Sequence, residues 1–294
     1  MKTFLKKLNI NATKIDSYLK KFLVKKEKSY FLQVPMKYGV FSGGKKFRSS
    51  IVISMGKIYG INFKKLIIIS AAIECIHSYS LIHDDLPSMD NDDFRRGKLS
   101  VHKKFNEYTA ILAGNSLLTL AFEILTESDF KASQKNKNEL INTLSKCAGY
   151  SGLAGGQYFD LTYENKIVSQ KNIIEMQKKK TGELFGFCCE SVAIMKGLNL
   201  KKRKKLKEIG INIGLLFQTV DDLIDHKGKS SIVGKPTGRD KKKGKATLIS
   251  LWGYKKTLDF AKILKRDICQ EIKTYVPKAN DLLDSVEFIL ERKF

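Results

Sequence analysis

The segment 65–83 is apolar almost all the way round a helical wheel, and an acidic stretch, 84–93, follows it directly. A helix with no polar face is buried on every side, so this segment predicts a helix at the centre of a bundle. The aspartates of the acidic stretch are Asp84, Asp85, Asp90, Asp92 and Asp93. Their charges would repel one another at the mouth of the core unless a cation lies among them. A solvated acidic helix end is the alternative interpretation.

A second acidic motif, Asp221, Asp222 and Asp225, closes another apolar stretch, Ile209 to Val220. On a helix Asp221 and Asp225 lie one turn apart on one face, and Asp222 lies beside them. Mg²⁺ usually takes one or two carboxylates together with the phosphate oxygens of a substrate. The two motifs therefore predict magnesium sites that act on a phosphate-bearing substrate.

The rest of the chain also predicts helices, because it has only four prolines and little strict alternation of apolar and polar residues. An amphipathic helix is expected at 3–32. Further helices are expected at 107–127, 138–152, 171–196, 203–225 and 255–272. The sequence shows no interdomain linker and no repeat of solenoid period. We therefore expect an all-α protein with a single domain, 1–294.

Cysteine usage and hydropathy favour a cytoplasmic protein. The five cysteines form no CxxC pair and no metal-ligand spacing, and their odd number suits a reducing compartment. The richest apolar stretch, Leu66 to Ile82, is interrupted by polar residues, so no transmembrane segment is expected. The N-terminus mixes lysines and asparagines with its apolar residues and lacks the core of a signal peptide.

The net charge of +24, from 54 basic and 30 acidic residues, is of the kind found in proteins that bind polyanions. Arginine makes the bidentate contacts to phosphate, yet only seven of the 54 basic residues are arginines. We therefore favour a solvated lysine surface and expect no specific nucleic-acid partner. The lysine-rich runs 201–205 and 241–243 are the places where that interpretation is weakest.

Short motifs occur in one order through nearly the whole chain. They are the residues 43–48 (GGKKFR), 76–83 before the first aspartate motif, 95–97 (RRG), 113–115 (AGN), 155–157 (GGQ), 180–182 (KTG), 217–218 before the second motif, 234–235 (GK) and 244–247 (GKAT). This order and spacing resembles the trans-isoprenyl diphosphate synthases, or polyprenyl synthetases, and most closely the bacterial farnesyl diphosphate synthases. The family differs from this sequence in commonly having a proline where Ser49 stands and another after Thr247.

The resemblance implies a single large helical bundle around a deep central cavity, with the two aspartate motifs facing each other across its mouth. It implies Mg²⁺ as the cofactor, with three ions when an allylic diphosphate is bound. The metal ligands implied are Asp84, Asp85, Asp90, Asp221, Asp222 and Asp225. A homodimer is also implied.

The implied substrates are isopentenyl diphosphate and the allylic dimethylallyl and geranyl diphosphates. The residues implied for the allylic diphosphate are Arg95, Lys180, Lys235 and Lys245. Those implied for isopentenyl diphosphate are Gly44, Lys45, Arg48, His77 and Arg96. His77 alone would also suit a structural histidine. Lys180, Thr181 and Gln218 match catalytic positions, the last two supplying oxygen dipoles to the allylic carbocation.

The implied reaction is ionisation, condensation and loss of a proton to the departing diphosphate, without a side-chain base. Tyr79 and Ser80 lie five and four residues before Asp84 and are expected at the floor of the product pocket. An aromatic floor predicts a fifteen-carbon product, whereas a smaller residue would favour geranylgeranyl diphosphate. A terpene cyclase remains an alternative, although it needs no second diphosphate site. A non-catalytic regulatory subunit is disfavoured because both aspartate motifs are present.

Overall fold

The computed structural model describes residues 2–24, 30–227, 238, 240, 243–275 and 278–292. Its helices are α1 (Lys2–Val24), α2 (Tyr30–Val40), α3 (Phe47–Ile58), α4 (Phe63–Asp84), α5 (Val101–Lys104), α6 (Glu107–Thr126), α7 (Gln134–Ala148), α8 (Leu153–Thr162), α9 (Gln170–Gln177), α10 (Glu183–Lys196), α11 (Leu200–Lys227), α12 (Leu248–Lys273) and α13 (Asn280–Glu291). A π-helical turn, Lys178–Gly182, joins α9 to α10. Within the described ranges, strands occur only in one hairpin, β1 (Phe94–Arg95) and β2 (Lys98–Leu99). The all-α prediction is confirmed.

The helices group into two compact units. The N-terminal unit consists of Lys2–Ile53 and Asn62–Lys137, and the C-terminal unit consists mainly of Ser54–Ile61 and Asn138–Phe294. The chain passes from one unit to the other within α3, between Ile61 and Asn62, and within α7. Each unit contains one of the two aspartate motifs. The expectation of a single domain stays a prediction.

In the N-terminal unit α4 is the central helix, as its uniformly apolar sequence predicts. Ile69, Ile73 and Ile76 are fully buried on it. The helix begins after Asn62, whose side chain accepts a hydrogen bond from the backbone N–H of Lys64, and such a cap favours a helix start. It packs against α1, α2 and α6. The first aspartate motif therefore begins at the C-terminal end of a helix that is held in place by burial on all sides.

In the C-terminal unit, glycines let α10 and α11 approach closely. A Cβ atom on Gly210 would lie 2.3 Å from the carbonyl oxygen of Phe185, and one on Gly214 would lie 2.7 Å from the Cα of Gly182. No side chain fits at either position, because Cβ atoms do not approach so near. The close pairing fixes α11, whose last two turns carry the second aspartate motif.

The helix boundaries differ from the expected ones in three places. The expected helix 3–32 is helical over Lys2–Val24, residues 25–29 lie outside the described part, and Tyr30 starts a separate helix that contains Pro35. The expected helix 138–152 begins earlier, at Gln134, and ends at Ala148, so that α8 starts anew after a turn. The expected helix 255–272 lies within α12, which starts at Leu248 but has non-helical backbone at Gly253, two residues before the predicted start. The other expected helices agree with the structure to within a few residues.

Two of the helices in the described ranges, α4 and α6, are long and apolar enough to cross a membrane by length and composition alone. The apolar window of α4 is 83% buried inside the protein, which is typical of a core helix. The window of α6 is 44% buried, and Tyr108, Ile111 and Leu112 are exposed on that helix. The expectation of no transmembrane segment stays a prediction.

Candidate active site

The first aspartate motif folds back onto the end of α4. The backbone N–H of Asp90 donates to the carbonyl oxygen of Asp84 at 2.8 Å, and that of Asp92 donates to the carbonyl oxygen of Asp85 at 3.1 Å. Asn91 between them has a positive φ of 49°, a conformation that asparagine tolerates better than most residues. The turn brings Asp84 and Asp90 together although six positions separate them in the sequence.

Asp85 is buried and bound by Arg95. The guanidinium Nε of Arg95 donates to both carboxylate oxygens of Asp85, at 3.0 and 3.3 Å, and its Nη2 makes a further bond to Oδ1. Burial raises the pKa of Asp85, and the adjacent Arg95 opposes that rise. Arg95, expected at the allylic diphosphate, thus neutralises a carboxylate of the motif itself. Asp84 and Asp90 are both half-buried.

The residues expected at isopentenyl diphosphate come together around the Gly43–Gly44 turn. Both glycines have positive φ, at 97° and 106°, and Arg96 donates from Nη1 to the carbonyl oxygen of Gly43. A Cβ on Gly44 would lie 2.6 Å from the guanidinium carbon of Arg96, so a side chain there would displace that guanidinium and would be strained at this positive φ. Lys45 follows as an exposed residue. The turn, Lys45 and Arg96 form one basic surface.

His77 is adjacent to Arg48, with 3.2 Å between His77 Nε2 and Arg48 Nη1. Burial lowers the pKa of His77 well below 6.5, and the positive charges of Arg48 and Arg96 lower it further. A neutral imidazole can accept a hydrogen bond at Nε2, so His77 holds the guanidinium of Arg48 in place. Arg48 and Arg96 thus place two positive charges near His77, and such a concentration of positive charge attracts an anion.

Four further side chains, those of Lys46, Asp16, Glu74 and Ser49, pair with one another beside this basic surface. Lys46 Nζ lies 3.1 Å from Asp16 Oδ1 and 3.8 Å from Glu74 Oε2, and its side chain is only 6% exposed. Ser49 donates from Oγ to Glu74 Oε1 at 2.6 Å. Ser49, where the family commonly has proline, therefore holds Glu74 beside Lys46. Nothing in the local sequence indicates these pairs, because they form between distant segments.

Tyr79 and Ser80, expected at the floor of the product pocket, are both buried on α4. The ring of Tyr79 packs edge-on against that of His83, with 5.6 Å between ring centroids. Burial raises the pKa of Tyr79 to about 12, and the charge of Asp84 adds to the rise. Ser80 donates from Oγ to the carbonyl oxygen of His77 at 2.9 Å, so its hydroxyl turns back onto the helix. Of these two residues, Tyr79 is therefore the one whose bulk can limit the depth of a product pocket.

In the C-terminal unit, Asp160 joins two of the lysines expected at the allylic diphosphate. Lys180 Nζ and Lys245 Nζ both lie 2.7 Å from Asp160 Oδ2. Lys245 Nζ also lies 2.8 Å from Glu164 Oε1. Although burial alone would raise it, the two lysines hold the pKa of Asp160 below its usual value. The sequence analysis did not single out Asp160, although it follows the GGQ motif by three residues.

A chain of hydrogen bonds orients Asp222 of the second motif. Thr181 donates from Oγ1 to Gln218 Oε1 at 2.8 Å, and Gln218 donates from Nε2 to Asp222 Oδ1 at 2.8 Å. Gln177, which the sequence analysis missed, donates from Nε2 to Asp222 Oδ2 at 2.8 Å. Thr181 lies in the π-helical turn, and Gln177 is the residue directly before it. Such turns are frequent at functional sites.

The other members of the second motif have separate partners. Arg292 Nη1 donates to Asp221 Oδ1 at 2.8 Å, and Asp225 Oδ2 accepts from the backbone N–H of Asp240 at 3.1 Å. Burial raises the pKa of Asp222 well above 3.8, and the nearby Asp240 raises it further. Asp222, Asp240 and Lys245 line a cavity of about 250 Å³. Lys235 lies outside the described residues.

The carboxylates of both motifs suit magnesium as oxygen donors. Within the described part of the chain, no three His, Cys, Asp or Glu residues form a ready-made metal site. Mg²⁺ usually takes one or two carboxylates and completes its shell with water and substrate phosphate. The buried Asp222 lies near other carboxylates, where a cation would stabilise its charged form. The residues present therefore fit the ion.

Comparisons with known proteins agree with this geometry. The polyprenyl synthetase family model matches residues 29–282. The farnesyl diphosphate synthase of Geobacillus stearothermophilus is 37% identical over 257 residues, which cover 86% of each chain. An FPP/GFPP synthase structure from Zymomonas mobilis has a TM-score of 0.85 at 36% identity, covering 99% of this chain and all of that one.

A Helicobacter pylori geranyltransferase complexed with magnesium and isoprenyl diphosphate has a TM-score of 0.82 at 28% identity, covering 98% of this chain and 96% of that one. The match to the family model spans well over half of the chain, and the Geobacillus relative is above 30% identity over most of its length. The chain therefore belongs to the polyprenyl synthetase family.

Proposed function

We propose that the protein is a farnesyl diphosphate synthase, which condenses isopentenyl diphosphate with dimethylallyl and then geranyl diphosphate. The observation that carries this proposal is the presence of two separate sets of cations suited to diphosphates. One set is Arg48, Arg96 and Lys45 at the Gly43–Gly44 turn. The other is Lys180 and Lys245 around Asp160. A terpene cyclase ionises one diphosphate and needs only one such set.

Magnesium would be held by Asp84 and Asp90 in the first motif and by Asp221 and Asp222 in the second. Asp85 and Asp225, which already bind Arg95 and the backbone of Asp240, would orient the loops around the ions. Magnesium bound there would neutralise the charge that develops on the leaving diphosphate. The magnesium and isoprenyl diphosphate in the related Helicobacter pylori structure support this assignment.

In this proposal, two lysines of the C-terminal unit bind and orient the allylic diphosphate. Lys180 and Lys245 are held by one carboxylate, so their ammonium groups are positioned before the substrate arrives. Such preorganised charge stabilises the departing diphosphate without rearrangement during the reaction. Lys235 is proposed to join them.

Thr181 and Gln218 face the developing carbocation in this proposal. Their mutual hydrogen bond and the bond from Gln218 to Asp222 fix both side chains. Thr181 Oγ1 donates its hydrogen and keeps both lone pairs, and Gln218 Oε1 keeps one, so both oxygens can supply a negative dipole without a strong nucleophile. A proton then leaves the condensed product to the departing diphosphate, so no side-chain base is needed.

The product is proposed to have fifteen carbons because Tyr79 is buried one turn before the first motif. The related Zymomonas mobilis enzyme is an FPP/GFPP synthase, so family membership alone does not decide the chain length. The bulk of Tyr79 is the feature that favours the shorter product over geranylgeranyl diphosphate.

We also propose a cytoplasmic homodimer. Tyr108, Ile111 and Leu112 of α6 are exposed by 68%, 43% and 48%, and such clustered apolar residues are typical of an interface. The cysteines Cys75, Cys147, Cys188, Cys189 and Cys269 are all free and buried, which suits a reducing compartment. An Ile111→Glu variant is expected to halve the mass seen by light scattering, and an unchanged dimer would contradict the assignment of this face.

Steady-state kinetics of an Arg48→Met variant test the function. We expect the KM for isopentenyl diphosphate to rise about tenfold or more, since one charge-assisted hydrogen bond is lost, with the KM for geranyl diphosphate unchanged. Arg266→Met is the matched control, because Arg266 is exposed on α12 and contacts Asp267. An Arg48→Met enzyme with the same KM for isopentenyl diphosphate as the wild type would contradict the two-diphosphate assignment.

A further inference from the structure

Gln157 lies on the one face of α8 that is buried. The buried residues of that helix are Leu153, Gly156, Gln157 and Asp160. Their spacing of three and four positions makes a single helical stripe. Gly156 lies against the π-helical turn, because a Cβ there would be 2.1 Å from the backbone nitrogen of Lys180. Gln157 is therefore on the side of α8 that packs against the turn carrying Lys180.

The side-chain amide of Gln157 is unusual among buried polar groups. Only 7% of the residue is exposed, yet among the described residues neither Nε2 nor Oε1 has a hydrogen-bond partner. Buried amides are nearly always paired, because an unpaired donor or acceptor inside a protein costs stability. A leucine or methionine would fill the same space without this cost. The amide is therefore expected to form a hydrogen bond with a bound ligand.

The neighbours of Gln157 indicate which ligand that is. Asp160, one turn along the same stripe, holds Lys180 Nζ and Lys245 Nζ at 2.7 Å each. Three residues of helix rise about 4.5 Å, which a glutamine side chain can span. An anion bound by these two ammonium groups would lie within reach of the Gln157 amide.

We propose that Gln157 is a further substrate-binding residue, whose Nε2 donates a hydrogen bond to the allylic diphosphate bound by Lys180 and Lys245. This inference rests on the proposed function, because it takes the anion to be the diphosphate of the allylic substrate. Gln177 differs in its donor: its Oε1 is also buried without a partner, but its Nε2 already donates to Asp222. The Nε2 donor of Gln177 is therefore used within the protein, whereas that of Gln157 is available to a ligand.

Two measurements on a Gln157→Met variant test the proposal. Thermal unfolding without ligand is expected to give a melting temperature equal to or above that of the wild type, because no protein hydrogen bond is lost. Calorimetric titration with inorganic diphosphate and Mg²⁺ is expected to show binding weakened about tenfold or more, the usual effect of losing a hydrogen bond to a charged group. Gln270→Met, at an exposed position of α12, is the matched control and should change neither value.

A Gln157→Glu variant adds a second test, because it keeps the shape, removes the donor and adds a negative charge. It is expected to bind inorganic diphosphate more weakly than Gln157→Met does. A Gln157→Met protein that unfolds at a lower temperature or fails to fold would overturn the proposal, since the amide would then be structural. Unchanged diphosphate binding in either variant would overturn it as well.

The wild-type enzyme separates this inference from the proposed function. If the wild type binds inorganic diphosphate but forms no prenyl product, the function is wrong, and the binding comparison still decides the role of Gln157. If the wild type forms farnesyl diphosphate and Gln157→Met binds diphosphate as tightly, the function stands and the role of Gln157 is refuted.

Discussion

Asp160→Asn is expected to destabilise the free enzyme by leaving two lysines without their shared carboxylate. The side chains of Lys180 and Lys245 are 23% and 7% exposed, so their ammonium groups are poorly solvated. Removing one partner of a buried ion pair costs about 3–5 kcal/mol. Lys245 keeps Glu164 at 2.8 Å and Lys180 is partly exposed, so the lower end, about 3 kcal/mol, applies here.

Thermal unfolding of the free enzyme is the assay. A loss of about 3 kcal/mol in a chain of this size lowers the melting temperature by about 6 °C. Asp259→Asn is the control, because Asp259 is 57% exposed and lies 3.8 Å from the equally exposed Lys262. The control is expected to leave the melting temperature within about 1 °C of the wild type, as exposed ion pairs contribute little.

The difference in melting temperature between Asp160→Asn and the wild type should depend on ligand and on pH. Inorganic diphosphate with Mg²⁺ gives the two lysines a new partner, so it should stabilise Asp160→Asn more than the wild type. The folded-state pKa of Asp160 is lowered from 3.8, so its contribution is present above that pH and is lost as the pH falls below it. The gap in melting temperature should therefore shrink in acid. A variant as stable as the wild type at neutral pH would refute the reasoning.

Three other substitutions have defined outcomes. Tyr79→Ala removes the buried ring before the first motif and should lengthen the product beyond fifteen carbons, as chromatography of the dephosphorylated alcohols would show. Arg203→Lys loses the planar fork that binds Glu190 at 2.7 Å and should lower the unfolding free energy in urea by about 2 kcal/mol. Gly44→Ala would force a Cβ against Arg96 at a positive φ, so the KM for isopentenyl diphosphate should rise about tenfold while that for geranyl diphosphate stays the same.

Much of the fold is encoded in hydrophobic periodicity, which predicted α4 and α11 because each repeats apolar residues over many turns. The helix α2 escaped this reasoning because Pro35 lies in its interior, where a proline normally indicates a helix end. The break after Ala148 was also missed. There a turn through Gly149 and Gly152 separates two helices whose apolar patterns run together in the sequence.

Some residues of the candidate site could likewise be predicted from the sequence, and others could not. Arg48 and Lys180 stand in local motifs, so their residue types and spacing identify them without a structure. Asp160 and Gln177 are defined by the side chains that they touch, and these contacts join segments 20 to 85 residues apart. Such pairings arise from tertiary packing and leave no pattern in a single sequence.

The central claim is that this protein joins isopentenyl diphosphate to an allylic diphosphate. The most direct test incubates the purified wild-type protein with Mg²⁺, isopentenyl diphosphate and geranyl diphosphate, and identifies the alcohols after dephosphorylation. Farnesol as the main product is predicted, while geranylgeraniol would keep the condensation and contradict the role of Tyr79. Absence of any condensation product, or a hydrocarbon formed from geranyl diphosphate alone, would contradict the account.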